Sequence, residues 1–205
     1  MDPLVVGRAI ALVAAAYVIG GIPWGVIVAR IAGGPDPRTI GSGRTGGANV
    51  MRALGPRLAL LSGILDMLKG TVAVLLARAL GAGVEVEVLA GLAAVVGHSR
   101  SPFLGFSGGR GVSAAYGAAL VLGPPAAVVT LAVFVAVLAI WRYTSLASLL
   151  GSAAGGIAFA VQVVATGLPP ALLGFAIGAP LLIWLFHLDN IGRLLRGEER
   201  KFGAR

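Results

Sequence analysis

Long apolar runs, separated by short polar stretches, dominate the chain and predict an all-α bundle of membrane-spanning helices. Apolar runs of about 18 or more residues have the length that a helix needs to cross a bilayer. Two predicted segments, 86–96 and 112–122, hold only about eleven residues each, so they must extend into their flanks or be re-entrant. An arrangement of five spans with a re-entrant pair therefore stays open. The seven predicted segments are residues 4–31, 58–80, 86–96, 112–122, 126–141, 145–166 and 170–188.

The composition agrees with this pattern. The chain has 205 residues, of which 58% are hydrophobic and 12% charged, and its mean hydropathy is +0.95. A water-soluble domain of this size cannot bury so much apolar surface, so we expect a single membrane domain over residues 1–205. The first residues lack the basic segment of a cleavable signal peptide, so the first apolar run is expected to be retained. The absence of cysteine excludes disulfides and thiolate metal sites.

Basic residues concentrate on one side of the predicted bundle. With seven spans, 13 of the 16 basic residues fall on the side of the C-terminus. Because positive charge marks the cytoplasmic face, we expect the N-terminus outside and the C-terminus in the cytoplasm. Because the basic residues concentrate on one side of the membrane, the net charge of +8 does not indicate nucleic-acid binding. The 13 residues are Arg30, Arg38, Arg44, Arg52, Arg57, Arg100, Arg110, Arg142, Arg193, Arg196, Arg200, Lys201 and Arg205.

Three glycine-rich polar stretches, 38–52, 97–111 and 187–198, carry the candidate chemistry. In the first, the glycines between positions 41 and 47 leave backbone amides unobstructed, and a helix predicted to start near Ala48 or Asn49 would aim its positive end at the loop. Arg44 and Arg52 add guanidinium groups suited to phosphate. The alternative to a phosphate-binding loop is a flexible basic loop without a ligand. A dinucleotide fold is not expected, because no strand precedes the G-x-G-x-x-G spelling at residues 41–46.

The second stretch predicts a glycine-rich cradle that leads into the fourth helix, with Arg110 as its cation. Residues 105–109 spell G-x-S-x-G, but a nucleophile elbow at Ser107 needs an α/β sheet that this chain lacks. His98 lies where the third helix is expected to meet water. It is either a polar cap or a residue for substrate binding or proton transfer.

In the third stretch, His187, Asn190 and Arg193 recur at three-residue spacing and share one helix face. The basic tail beyond them contains Glu198, which we keep as a candidate. Two further ionisable residues, Asp66 and Lys69, lie one turn apart in the second span; they are functional candidates or a structural ion pair. No metal site is expected, because the two histidines are far apart and no carboxylate stands at ligand spacing.

Eight short motifs follow one another along nearly the whole chain. They are Ile22-Pro-Trp-Gly25, Gly41-Ser-Gly43, Asn49-Val-x-Arg52, Asp66-x-x-Lys-Gly70, Gly97-His98, Gly108-Gly-Arg-Gly-Val112, Tyr143-x-Ser-Leu-Ala-Ser148 and His187-x-x-Asn-Ile-x-Arg-Leu194. Together they resemble the bacterial PlsY family, the acyl-phosphate:glycerol-3-phosphate acyltransferases of the cytoplasmic membrane. The chain departs from the family pattern at Arg44, Ala48, Ser107 and Arg110. Its active site therefore either catalyses the family's reaction with altered properties or acts on another acceptor.

The resemblance implies acyl transfer from a fatty acyl phosphate to the sn-1 hydroxyl of glycerol 3-phosphate, without cofactor or metal. It implies the bacterial inner membrane, a site facing the cytoplasm, and transient contact with the enzyme that makes acyl phosphate. The base is His98, His187 or, as we favour, a phosphate oxygen of the donor. The candidate catalytic residues are His187, Asn190 and His98, and the candidate substrate-binding residues are Ser42, Gly43, Asn49, Arg52, Lys69, Gly108, Gly109, Arg110, Gly111, Ser145, Arg193 and Glu198.

Two other classes of protein are weighed against an enzyme. A transporter of a phosphorylated metabolite would explain Asp66 and Lys69 in the second span, but the polar groups crowd one face and no internal repeat is evident. A non-catalytic lipid-binding or scaffold protein would need the basic face, but not the ordered His, Asn and Ser positions.

Overall fold

The computed structural model describes residues 2–203, and the predicted cytoplasmic Arg205 lies outside the described residues. Over this range the chain forms ten α-helices and two short 3₁₀ turns, so the all-α prediction is confirmed. The helices are α1 Pro3–Gly21, α2 Trp24–Ile31, α3 Gly47–Leu54, α4 Pro56–Ala79, α5 Val84–Ser99, α6 Val112–Leu122, α7 Pro124–Trp141, α8 Thr144–Thr166, α9 Leu172–Phe186 and α10 Leu188–Leu195. The turns are Pro37–Thr39 and Pro102–Leu104.

Each of the seven predicted segments contains a helix, with two differences in detail. The first segment is broken between α1 and α2 at Pro23, which has no N–H to continue the helical ladder. The third predicted segment is longer at both ends in the structure and forms the 16 residues of α5. The fourth forms the 11 residues of α6, with Gly123 as its C-cap.

Within residues 2–203, four helical segments are long and apolar enough to cross a membrane: residues 3–31, α4, α7 and α8. The pair α9 and α10, bent by 64°, would make a fifth. The number of crossings and the side of each terminus therefore stay predictions.

The core lies on both sides of α5, which packs against α1, α4, α6 and α9. One apolar cluster joins α5 to α1 and α4, and the other joins α5 to α6, α8 and α9. Glycines allow these close approaches: a Cβ at Gly97 of α5 would overlap the backbone of α1 at Tyr17. Large apolar side chains such as Ile10, Val135 and Leu181 stay exposed on the outer faces, as expected for contact with lipid.

The up-and-down order of the helices brings the three polar stretches to one end of the bundle. We call it the polar end; it is formed by the starts of α4, α6 and α8, the ends of α5, α7 and α9, and helices α3 and α10.

Candidate active site

A cavity of about 440 Å³ opens at the polar end, and we call it the polar cavity. All three polar stretches contribute to its lining, together with the last turns of α7 and the start of α8. Sequence spacing alone does not place these stretches together, because more than a hundred residues separate the first from the last. The predicted site residues that line it are Ser42, Asn49, Arg52, His98, Gly109, Arg110, Ser145, His187, Asn190 and Arg193.

The N-termini of three helices face the polar cavity. Helices α3, α6 and α8 begin there, and none has a side-chain cap on its first backbone N–H groups. The start of α3 at Gly47 confirms the predicted helix start near Ala48. Free N–H groups and helix dipoles give this end a positive potential suited to an anion. The lining residues at these helix starts are Gly47, Ala48, Val112, Ser113, Thr144 and Ser145.

Five arginines add positive charge to the lining: Arg44, Arg52, Arg110, Arg193 and Arg200. The carboxylate of Asp189 pairs with Arg110 at 2.7 Å, and that of Glu199 pairs with Arg193 at 2.8 Å. Among residues 2–203, no carboxylate lies within 4.0 Å of the other three guanidinium groups. The cavity therefore carries an excess of positive charge.

The pKa values at this end reflect the crowding of charge. Burial lowers the pKa of Arg110, and the charges of Arg44 and Arg193 lower it further against the opposing effect of Asp189. Burial acts to raise the pKa of Asp189, but the neighbouring Arg110 holds it below its usual range. Asp189 therefore stays ionised and fixes the Arg110 guanidinium at the cavity wall.

His187 occupies the bend between α9 and α10, just beyond the end of α9. Its Nδ1 lies 2.7 Å from the carbonyl oxygen of Ile183. A carbonyl only accepts hydrogen bonds, so Nδ1 carries the proton and Nε2 is left as an acceptor in the cavity. This hydrogen bond fixes the tautomer and the orientation of the ring.

Asn190 lies one turn beyond His187 on the same face of α10, as the spacing predicted. Its amide Nδ2 donates to Oε1 of Glu199 at 2.7 Å, whereas its buried Oδ1 has no hydrogen-bond partner within the described part of the chain. The same holds for the buried hydroxyl of Ser145 and for Nε of Arg110. These three atoms are buried polar groups at the cavity wall that the described protein does not satisfy.

Glu199, rather than the predicted Glu198, is the tail carboxylate at the site. The side chain of Glu198 is 59% exposed and pairs with Arg196, whereas that of Glu199 is 7% exposed and bonds both Asn190 and Arg193. No periodic signal distinguishes the two residues in the sequence, because the segment after α10 is not helical.

Asn49 organises the loop before α3. Its Nδ2 donates to the carbonyl oxygens of Pro37, Ile40 and Arg44, at 2.5, 3.0 and 2.8 Å. Its Oδ1 accepts from the backbone N–H of Ser42 at 3.2 Å and from the guanidinium of Arg52. The amide is thus engaged within the protein, and it fixes Arg52 at the cavity wall.

His98 lies beneath the glycine-rich loop that precedes α6. The backbone N–H of Gly109 donates to the carbonyl of His98, and a Cβ at position 109 would overlap Nε2 of the imidazole. A Cβ at Gly108 would overlap the carbonyl oxygen of His98. The two glycines therefore let the loop pass directly over the histidine.

Lys69 does not line the polar cavity. Its ammonium lies 2.8 Å from the Asp66 carboxylate and donates to the carbonyl oxygen of Ile22 at 3.0 Å. That carbonyl belongs to the break between α1 and α2, so the lysine ties α4 to the broken helix. Nδ1 of His98 lies 3.5 Å from the same carboxylate. The geometry favours the structural ion pair over phosphate binding.

Other predicted residues also lie outside the lining, and further residues join it. Gly43 and Gly111 adopt left-handed backbone conformations, at φ of 67° and 82°, that shape the two loops. Ser107 is exposed and donates to the carbonyl of Leu104. The lining residues that were not among the candidates include Arg44, Ser113, Thr144, Glu199, Arg200 and Phe202.

A second, apolar cavity of about 460 Å³ lies between α4, α6, α7, α8 and α9, deeper in the bundle. We call it the apolar cavity. It adjoins the polar cavity, and six residues line both: Ala59, Leu60, Val112, Ser113, Phe134 and Ser148. The bundle thus places a cationic cavity and an apolar cavity side by side.

Known proteins share this sequence and architecture. Residues 10–197 match the family described as glycerol-3-phosphate acyltransferase. The chain is 45% identical to the glycerol-3-phosphate acyltransferase of Rubrobacter xylanophilus over 95% of each chain. It is 41% identical to glycerol-3-phosphate acyltransferase 1 of Deinococcus radiodurans, over 92% of this chain and 93% of that relative.

The fold matches a crystal structure of PlsY (YgiH), an integral membrane glycerol 3-phosphate acyltransferase, in its glycerol 3-phosphate form. The TM-score is 0.86 at 37% identity, over 96% of each chain. The lysophosphatidic acid form of PlsY gives a TM-score of 0.85 at 36% identity. This chain therefore belongs to the glycerol-3-phosphate acyltransferase family and is an integral membrane acyltransferase, as its motifs predicted.

Proposed function

We propose that this chain transfers a fatty acyl group from acyl phosphate to the sn-1 hydroxyl of glycerol 3-phosphate. The products are 1-acyl-glycerol 3-phosphate and inorganic phosphate, in the first step of phospholipid synthesis. The observation that carries the proposal is that the polar and apolar cavities adjoin and share six lining residues. An acyl phosphate has the same two parts, a dianionic head and an alkyl chain, so it matches the site along its length.

The acceptor is inferred from the relatives and from the charge of the site. PlsY was crystallised in a glycerol 3-phosphate form and in a lysophosphatidic acid form. The excess of arginine in the polar cavity supports two phosphate groups at once, with the N-termini of α3 and α6 adding backbone donors.

The chemical step needs no nucleophile from the protein, because an acyl phosphate is an activated anhydride. The acceptor hydroxyl oxygen attacks the acyl carbon and forms the ester bond. The bond between that carbon and the phosphate oxygen breaks, and the phosphate leaves with the electron pair. The free Nε2 of His187 and Oδ1 of Asn190 accept hydrogen bonds and orient the hydroxyl. Positioning and charge stabilisation supply the rate enhancement.

The hydroxyl proton passes to an oxygen of the departing phosphate in this mechanism. The departing phosphate oxygen leaves the same carbon that the hydroxyl attacks, so it lies close to the hydroxyl proton. His98 is buried beneath Gly109 and beside Asp66, which favours a structural role for it. The substrate phosphate is therefore the base that the geometry favours.

Among the other candidates, we assign Arg110 and Ser145 to the donor phosphate, and Gly108, Gly109 and Gly111 to shaping the loop that carries Arg110. We assign Ser42 and Arg52 to the acceptor, and Asn49 and Arg193 to positioning of the site. The polar end would face the cytoplasm of the inner membrane, where the enzyme that makes acyl phosphate delivers the donor in transient contact. The apolar tail of the donor would lie in the apolar cavity, which residues of α4 and α7 both line.

The test is release of inorganic phosphate from palmitoyl phosphate by the purified chain in lipid vesicles, with and without glycerol 3-phosphate. We expect release that depends on the acceptor and is matched by lysophosphatidate formed. Release without an acceptor would instead support a hydrolase or a paralogue that uses another alcohol. Folded protein without turnover would contradict the proposal, and flux of glycerol 3-phosphate into sealed vesicles would then indicate a transporter.

A further inference from the structure

The segment after α10, residues 198–203, folds back over the mouth of the polar cavity, and we call it the C-terminal strap. It is anchored on both sides of Arg200. On one side, Glu199 bonds Asn190 and Arg193 of α10. On the other, the backbone N–H of Phe202 donates to the carbonyl of Arg142, whose guanidinium donates to the carbonyl of Phe202 at 3.1 Å. Arg200 is therefore held at the cavity rather than left on a free tail.

Arg200 and Arg52 form a pair of like charges at the cavity wall. Both line the cavity, and neither has a carboxylate within 4.0 Å in the described range of the chain. Burial lowers the pKa of Arg52, and the charge of Arg200 lowers it further, against the effect of Glu199. Two guanidinium groups that repel each other across a cavity are stabilised when a dianion lies between them.

Four of the five arginines of the polar cavity fall into two groups, and the fifth, Arg193, is paired with Glu199. Arg110 lies two residues before Val112, which with Ser113 opens α6 and lines both cavities, and the charge of Arg44 lowers the pKa of Arg110. Arg52 belongs to α3 and Arg200 to the C-terminal strap, and neither residue nor its neighbours Met51 and Glu199 line the apolar cavity. A donor whose chain fills the apolar cavity must place its phosphate beside Val112 and Arg110. The second group is then left for the other phosphate.

We propose that Arg200 of the C-terminal strap is a substrate-binding residue that holds the phosphate of glycerol 3-phosphate together with Arg52. This inference rests on the proposed acyl transfer. It assigns to the strap a direct role in recognising the acceptor, beyond the anchoring role of Glu199. The sequence gives no sign of it, because Arg200 looks like one of several basic residues of a cytoplasmic tail.

The experiment compares Arg200→Gln and Arg200→Lys with Arg196→Gln in the full chain, purified and returned to lipid vesicles. Arg196 is the matched control, because it lies in the same region, is 61% exposed and pairs with Glu198 outside the cavity. Initial rates are measured with each substrate varied at saturation of the other. We expect Arg200→Gln to raise the KM for glycerol 3-phosphate by about three- to tenfold, the loss of one partly exposed charge-assisted hydrogen bond.

The KM for palmitoyl phosphate and kcat should stay within about twofold of those of the parent chain, since the donor site is intact. Arg200→Lys should recover part of the affinity, because it keeps the charge but not the guanidinium fork. An unchanged KM for glycerol 3-phosphate, or equal rises for both substrates, would overturn the inference.

A binding measurement tests the role of Arg200 independently of the proposed reaction. Thermal stabilisation of the protein by glycerol 3-phosphate requires no acyl donor and no turnover. If the parent chain binds glycerol 3-phosphate but does not turn over, the proposed reaction fails and the role of Arg200 is still tested. Equal stabilisation of the parent chain and Arg200→Gln by glycerol 3-phosphate would overturn the role of Arg200 in either case.

Discussion

At the scale of single residues, hydrogen-bond partners separate groups that are available to a substrate from groups that hold the protein together. Nε2 of His187 and the buried Oδ1 of Asn190 have no hydrogen-bond partner among residues 2–203, and both residues line the polar cavity. The amide of Asn49 and the ammonium of Lys69 are occupied by the protein itself. Residue type alone does not make this distinction, because all four residues are equally plausible ligands for phosphate or hydroxyl groups.

The role of His187 gives the first prediction. If it orients the acceptor while the donor phosphate takes the proton, His187→Ala loses a hydrogen bond and lowers kcat/KM by roughly tenfold to a hundredfold. The measurement is steady-state turnover in lipid vesicles, with thermal stability as a check on folding. A fall in kcat of more than about 10³-fold with substrate binding intact would indicate a general base and contradict this assignment.

The contact between Gly109 and His98 gives the second prediction. In Gly109→Ala the new methyl group overlaps the imidazole, so we expect a loss of about 1–3 kcal/mol in stability from overpacking. The double variant Gly109→Ala, His98→Ala has room for the methyl group and should recover part of the melting temperature lost by the single variant. Equal melting temperatures for Gly109→Ala and the parent chain would show that the loop does not press on His98.

At the scale of helices, glycine decides how closely neighbours pack. The backbones of α4 and α6 meet where Gly70 faces Ala114 and Gly117 faces Met67. Without a hydrophobic driving force between helices in lipid, close van der Waals contact of this kind holds the bundle together. It also sets the position of the start of α6, on which Arg110 and the free N–H groups depend.

This packing gives the third prediction, with a control in the same helix. Gly70→Ala places a methyl group into the carbonyl of Ala114, whereas Gly63→Ala meets no atom within 4 Å. We expect Gly70→Ala to destabilise the protein by about 1–3 kcal/mol and Gly63→Ala to leave stability unchanged or slightly raised, since alanine favours helix. Thermal unfolding in detergent compares them, and equal losses in both variants would contradict the packing argument.

At the scale of the whole molecule, the helices separate the polar end of the bundle from the turns at its opposite end. Thr166, the last residue of α8, and Ser107, in the loop before α6, lie at opposite ends of the bundle, and both residues are exposed. The distribution of basic residues predicts that the polar end faces the cytoplasm. The proposed supply of acyl phosphate depends on this sidedness.

The fourth prediction tests sidedness in cells, and the absence of cysteine makes the parent chain a clean background. A membrane-impermeant maleimide added to spheroplasts should label Thr166→Cys at once, but Ser107→Cys only after the membrane is permeabilised. Ser107 lies outside the polar cavity, so labelling there does not depend on substrate. The reverse pattern would place the C-terminus outside and overturn the predicted orientation.

The sequence by itself determined the helices, the family and much of the chemistry of the site. Apolar runs and helix periodicity are local properties, so they placed the helices and aligned His187, Asn190 and Arg193 on one face. Motif order identified the acyltransferase family. Glycines beside arginines predicted phosphate binding because free amides and guanidinium groups favour anions in any fold.

Only the tertiary structure decided which polar groups meet. It joined three distant loops into one cavity, placed an apolar cavity beside it, and brought Glu199 and Arg200 to the polar cavity instead of Glu198. It also turned Lys69 towards the break at Ile22 and away from the cavity. The physical reason is that contacts between helices depend on packing distance and crossing geometry, which residue spacing along one helix does not encode.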